Sequence, residues 1–448
     1  MIDETSSLRL KLLRFPPIIG VVYIHAYFTA IRFAHGTIGT EDLNPLTDFI
    51  RVLISQGIAR VAVPLFFLMS GYLFFANFRW SQQTFARKVT TRMRTLLIPF
   101  LFWSTATLAF YAVVQAIPVL APYFSGPTAL IRELPLQDYA NVLIGFKGYP
   151  IAYHFWFIRD LMVLVLLAPL IALILRSAAL PFLLAVYLLW VSGKWPVYIP
   201  DSAGVLFFSA GALCALRGRD LFFLDRYGPA VCLAYIPILL IDVVWHTAWF
   251  NIYLHRTGLI VGVLAALYAT KLALRHERLK QTLLALGSAS FFVYAAHEPL
   301  LMVLRMLAYS HIPLDGPYTV LTIYLLLPAL LIAFLVLCHG ALQRICPRLL
   351  SLVTGGRLWC AVQRHGRVQR PPAARANPCR PSQRRTLRYR PYPVYKKGPV
   401  PAADRLSHLP GECPACTFKK KPGDWPPSCW SANNWPSPFP VASTAGCC

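Results

Sequence analysis

One histidine stands in the middle of an apolar run bounded by arginines, RFPPIIGVVYIHAYFTAIR, from Arg14 to Arg32. Tyrosine apart, His25 is the only ionisable side chain inside that run. A stretch of ~20 apolar residues is long enough to cross the hydrocarbon core of a bilayer. An ionisable group at that depth costs about 2 kcal/mol or more, so its presence points to a task. An imidazole can take a proton from a hydroxyl as a general base, or carry an acyl group as a nucleophile. The plainer alternative is a neutral imidazole hydrogen-bonded inside a helix bundle. A second apolar run contains Ala296-His297-Glu298. Two histidines and a carboxylate at mid-depth exceed what packing requires, although a mutually satisfied polar cluster would contain the same residues. Arg14 precedes His25 by close to three helical turns, which sets both on one side of a helix ~16 Å apart.

Other polar groups cluster in or beside apolar segments. Arg60 opens GIARVAVPLFFLMSGYLFF, at the expected outer mouth of that segment. Gly71, deeper in it, reads as a place where a neighbouring helix approaches closely. His154, Trp156, Arg159 and Asp160 lie together in YHFWFIRD. Tyrosine and tryptophan belong at a membrane interface, and Arg159 with Asp160 can be a satisfied charge pair. The same residues can also wall an outward-facing acceptor site. Membrane topology alone explains the basic cluster Arg87, Lys88, Arg92 and Arg94. Arginine forks also match phosphate oxygens, so a cradle for a cytosolic ligand is the functional reading. The lone CPAC motif, Cys413 to Cys416, has no second cysteine pair, and no metal site is expected.

The elements that must hold these groups are legible in the composition. Of 448 residues, 57% are hydrophobic and 14% charged, with a mean hydropathy of +0.54. Soluble domains carry about 25% charged residues, so this is a membrane-protein composition. The net charge of +25 is no nucleic-acid signal, because +15 of it falls from Ala341 onward. Most other basic residues sit in short loops between apolar runs. Ten apolar segments can be read, at about 15–33, 58–77, 96–117, 156–175, 180–192, 201–217, 228–249, 257–274, 286–307 and 318–340. Every second loop is basic, which predicts an all-α, multi-pass membrane protein of about ten spans with both termini in the cytoplasm. The N-terminus reads as a retained first helix, not a cleaved signal. Pro299 is expected to kink its helix beside His297 and Glu298. The expected membrane domain covers residues 1–344. Residues 345–448 hold 17 of the 37 prolines, and this basic Pro/Arg/Cys-rich tail is expected to be disordered. Its composition also resembles translation in an unselected frame.

The phrases RFPPIIGVVYIHA, RVAVPLFFLMSGYLF, RMRTLLIPFLFW, YHFWFIRDLMVLVLLAPLI and FFVYAAHEPLL, in this order, resemble the acyltransferase-3 family of bacterial integral membrane proteins. The resemblance spans roughly residues 8 to 345. Within the family, LLIPFLFW and WFIRDL are most similar to the enterobacterial-common-antigen O-acetyltransferase type. The resemblance implies about ten helices and transfer of an acyl group, usually acetyl from acetyl-CoA, to a hydroxyl of a cell-surface carbohydrate. The family's arginine eleven residues before a histidine falls on Arg14 and His25. Its basic stretch after the second helix falls on Arg92 and Arg94, here spaced Arg-x-Arg where some members have Arg-x-x-Arg.

The resulting expectation is an O-acyltransferase whose donor, acetyl-CoA, comes from the cytoplasm and is held by Arg14, Arg92 and Arg94. His25 would be the general base or acyl carrier, with His297 or Glu298 orienting it or relaying its proton. The acceptor, a cell-surface or lipid-linked saccharide, would lie near Arg60, His154, Trp156 and Arg159. Beyond acyl-CoA as substrate no cofactor is expected to stay bound; membrane lipid surrounds the chain, and no nucleic acid is a partner. A proton-coupled transporter or exporter of an envelope precursor is the competing class, since intramembrane histidine and glutamate also suit a proton relay. No inverted repeat or matched pair of broken helices is visible for it. A noncatalytic partner of an envelope assembly is a third reading.

Overall fold

In an apolar surrounding a backbone must close its hydrogen bonds on itself, and helices do so within one segment. The computed structural model follows that rule. It describes residues 2–33, 36–76, 81–125 and 130–356, within one compact unit. Each of the ten expected apolar segments overlaps a helix. By length and composition, five helices among the described residues can cross a membrane, or seven if each of two bent pairs counts as one. Two shorter apolar helices are Ala179–Ser192 and Ser202–Leu216. The chain is thus mostly helical with several helices able to span a membrane, and among the described residues fewer than ten are long enough to do so.

The all-α expectation needs one amendment. Ala30–Phe33 and Gly36–Gly39 pair as an antiparallel hairpin, with Ile31 opposite Ile38. The stretch read as a loop over 34–57 contains a helix start. The Asn44 side chain accepts from the Thr47 N–H at 2.8 Å, and Pro45 takes the first helical position, where a missing N–H is tolerated. From there the chain runs helically from Pro45 to Phe75. It passes through a π-helical stretch, Val52–Ile58, and a short 3-10 turn, Ala59–Val61, before Ala62–Phe75.

The core forms where Ala62–Phe75 meets Ser202–Leu216. A Cβ on Gly71 would run into the Phe208 carbonyl, and one on Gly211 into that of Leu68. Gly71 therefore serves the close helix approach read from the sequence. Phe67, Phe75, Phe208 and Leu164 are fully buried around this seam.

The domain boundary at residue 345 moves. Pro347–Val353 is a helix whose Leu350 is completely buried. The Trp103 indole N–H, on the helix Gln82–Ala116, donates to the Val353 carbonyl at 3.0 Å. The low aliphatic content of the tail as a whole hid this first turn. Residues 357–448, including Cys413 to Cys416, lie outside the described residues.

Candidate functional site

The opening helix does not run to residue 33. It is Pro16–His25, and His25 is its last residue. A helix that stops among apolar side chains leaves carbonyls without partners. Two arginines from distant elements supply donors. Arg305 Nη1, on the helix Leu300–His311, donates to the His25 carbonyl at 2.6 Å, and Nη2 donates to that of Phe28. Arg51 Nη1 donates to the Tyr27 carbonyl at 3.0 Å. His25 is thereby fixed where the chain leaves the helix, not in the middle of a span. Arg14 stands exposed in the turn between Glu4–Leu12 and Pro16–His25. Phe15 before Pro16 disfavours a continuous helix, so Arg14 and His25 do not share one.

A break in one helix and the first turn of another deliver the partners. Ser290–Ala296 and Leu300–His311 are bent by 57° across His297-Glu298-Pro299, as the proline predicts. Tyr153–Leu166 and Ala168–Ser177 are bent by 63°, and His154 lies in the first turn, Tyr153–Phe155. Three imidazoles meet there. The His25 ring centre is 5.2 Å from His297 and 6.3 Å from His154, and His154 is 4.9 Å from His297. Tyr153 presents its ring to that of His25 at 4.9 Å and donates its hydroxyl to Glu298 Oε1 at 3.0 Å. Glu298 therefore acts on Tyr153, and His297 is the neighbour of His25. His297 Nδ1 lies 2.7 Å from the Tyr294 carbonyl. A carbonyl only accepts, so Nδ1 carries the proton and Nε2 of the neutral ring is an acceptor. That Nε2 and His154 Nδ1 are buried without a hydrogen-bond partner among the described residues. Tyr294 holds the turn by donating to the His154 carbonyl at 2.6 Å.

His25 and His154 face a cavity of about 220 Å³, with Arg60, Trp156, Trp190 and Tyr294 in its wall. Four residues expected from the sequence, His25, Arg60, His154 and Trp156, are thus brought to one space. His297 and Glu298 support it from behind. Arg159 is placed elsewhere. Its Nε donates to Asp160 Oδ1 at 3.0 Å and its Nη1 to the carbonyls of Gly145 and Gly148. Asp160 Oδ2 in turn accepts the Asp201 N–H at 2.7 Å. Arg159 is a buried brace of the preceding loop and does not line the cavity. Arg92 and Arg94 are exposed on Gln82–Ala116 and, with Arg14, lie outside the cavity wall.

Sequence reasoning missed His255 and Arg256, which line the cavity from the helix Asn251–Ala273. His255 Nδ1 sits 2.8 Å from Asp242 Oδ2, and Asn251 Nδ2 donates to Asp242 Oδ1 at 2.7 Å. Asn251 and His255 are one helical turn apart and so share a face. A usable signal existed: Asp242 is the one charged residue of the apolar helix Gly228–Val244. Among the described residues, no group of three or more histidine, cysteine, aspartate or glutamate side chains could hold a metal ion.

The chain is 28% identical over 368 residues to the Succinoglycan biosynthesis protein ExoH of Rhizobium meliloti (strain 1021). That match covers 79% of this chain and 94% of the relative. No solved structure matches. A family model described as an acyltransferase domain matches residues 8–338, a range that contains the three imidazoles and the whole cavity wall. The chain belongs to the acyltransferase-3 family.

Proposed function

We propose that this protein is an inner-membrane O-acyltransferase that moves an acetyl or related acyl group from cytoplasmic acyl-CoA to a hydroxyl of an envelope saccharide. One observation carries the reading: His25, the last residue of a helix capped by Arg305, faces a cavity together with His154 and Arg60. The name of the relative, a succinoglycan biosynthesis protein, supports a polysaccharide acceptor. His25 takes the proton of the acceptor hydroxyl as its oxygen attacks the thioester carbon. The carbon–sulfur bond breaks, and the coenzyme A thiolate leaves and is protonated. Among the described residues no protein hydrogen bond reaches the His25 ring, which leaves it available to a ligand. Tyr153, fixed by Glu298, and His297 set its orientation. Trp156 offers an apolar face to a sugar ring. Arg14, Arg92 and Arg94, outside the cavity wall, hold the donor phosphates.

The reading includes ten crossings with both termini in the cytoplasm. Single cysteines at Gln83 and Gln281, in a cysteine-free background, then resist impermeant thiol reagents in intact cells, and ready labelling of both sinks that topology. Membranes supplied with radiolabelled acetyl-CoA test the chemistry. Wild type should label a glycan. His25→Ala should lose turnover by ~100-fold or more while coenzyme A still binds. Transfer that persists in His25→Ala removes His25 from the mechanism. Label trapped on the protein and released to glycan identifies His25 as an acyl carrier. Transport by the wild type with no acyl group on any acceptor would favour the exporter reading.

A further inference from the structure

Besides His25 and His154, the cavity wall carries three basic side chains, Arg60, His255 and Arg256, and none of the residues lining the cavity is acidic. Each head is held in place. Arg60 Nε donates to Gln56 Oε1 at 2.8 Å. Arg256 Nη1 donates to the Trp190 carbonyl, and its guanidinium lies 5.8 Å from the Trp190 ring centre. His255 is tied through Nδ1 to Asp242, which leaves its Nε2 side for the cavity. Asp201 acts electrostatically on Arg256 from outside the cavity wall, where its carboxylate also caps a helix by accepting the Ala203 N–H at 2.9 Å. Proton transfer at His25 does not require these three basic groups.

We propose that Arg60, His255 and Arg256 form an anion subsite for a carboxylate, carried either by the acyl group transferred or by the saccharide that receives it. The inference rests on the acyltransferase reading of the same cavity. Size favours a carboxylate over a nucleotide. A volume of about 220 Å³ is below the ~300–1,000 Å³ of clefts that take drug-sized ligands. It suits one sugar ring or a short acyl chain. Arginine forks match a carboxylate with two parallel hydrogen bonds. Trp156 and Trp190 supply apolar faces beside them.

The tryptophans also supply the readout. Full-length protein in detergent is titrated with glucuronate against glucuronamide, and with monomethyl succinate against dimethyl succinate, while intrinsic fluorescence is followed. Trp156→Phe and Trp190→Phe assign the signal. A saturable change with at least one acid and not with its neutral partner is expected. Arg256→Gln and Arg60→Gln should each weaken that binding by about tenfold or more, and Arg256→Lys by less. Melting temperature and coenzyme A binding, measured on each variant, separate loss of the subsite from loss of the fold. Binding of glucuronate alone assigns the carboxylate to the acceptor, and binding of monomethyl succinate alone assigns it to the acyl group; either supports the subsite. Equal binding of the neutral partners, unchanged affinity in both arginine variants, or no binding by folded wild type overturns it. Carboxylate binding in a protein that transfers no acyl group would remove the enzyme reading and leave the subsite standing.

Discussion

Two sets of arginines in this chain do opposite things. At the cavity end, Arg305 and Arg159 are 7% and 4% exposed and bond to backbone carbonyls. Near the basic loops, Arg14, Arg87, Arg92 and Arg94 stand exposed, whereas Arg9 is buried and donates to the Leu267 carbonyl and to Asp225, as the braces do. The difference follows from where helices stop. Those that end inside the apolar body expose carbonyls that water cannot reach, and a buried guanidinium with several N–H donors is a compact remedy. Helices that run past the apolar zone end in water and need none. Residue type alone therefore does not mark a ligand-binding arginine. Its carbonyl partners, or the lack of them, do.

The comparison is broken most directly at Arg305. Arg305→Ala strips the donors from the carbonyls of His25 and Phe28, at about 1–3 kcal/mol for each buried acceptor left unmade. The expected outcome is a large fall in folded, detergent-extractable protein and in melting temperature. Arg305→Lys should recover part of it, since an ammonium still donates. A normal melting temperature with lost activity would instead make Arg305 a ligand-binding group.

Arg159→Ala should come next. It leaves Asp160, which is fully buried, without its cationic partner, along with two loop carbonyls. Removing one member of a buried pair costs about 3–5 kcal/mol. Some of that should be regained here, because Asp160 keeps the Asp201 N–H and the loop lies near solvent. Stability should drop while the acceptor KM of the surviving enzyme is nearly unchanged. A raised KM at unchanged melting temperature would return Arg159 to the acceptor site, where its place in YHFWFIRD put it.

The exposed set should behave in the reverse sense. Arg92→Ala and Arg94→Ala should leave stability within about 0.5 kcal/mol of wild type and weaken coenzyme A binding. Added salt should mimic the defect, because exposed charges are screened over about 8–10 Å. Unchanged donor affinity in the double variant would reduce these arginines to topology signals.

What the sequence showed and hid follows the same line. His25, His297 and Glu298 stood out because ionisable groups in apolar runs are rare, and the bend at Pro299 was visible because proline acts locally. The end of the first helix at His25 was not visible. It depends on Arg305, which arrives from another helix far along the chain. His255 and Arg256 were hidden for a different reason. They fall just before the apolar segment 257–274, in a stretch that reads as a short outer loop, and only Asp242 across the turn and the cavity between helices give them a purpose.

The smallest effect is expected from a stop codon in place of Arg357, and a stop ten residues earlier shows why. Leu350 and Val353 are buried, and the Val353 carbonyl accepts from Trp103. Gly355 packs so closely on Thr95 that a Cβ there would meet the Thr95 carbonyl. This short segment is therefore a strap across Gln82–Ala116, the helix that carries Arg92 and Arg94. A stop codon in place of Arg357 keeps the whole strap, so insertion, melting temperature and transfer should match the full chain. A stop in place of Pro347 removes the strap, exposes the Trp103 indole and the apolar groove under Leu350, and should cost about 2–5 kcal/mol, as a buried leucine truncation does. It should also loosen the arginine-bearing end of the helix and weaken coenzyme A binding. If the shorter and longer truncations behave alike, the strap contributes nothing to the exposed arginines. If the stop at Arg357 alone prevents folding, residues beyond 356 belong to the structural core.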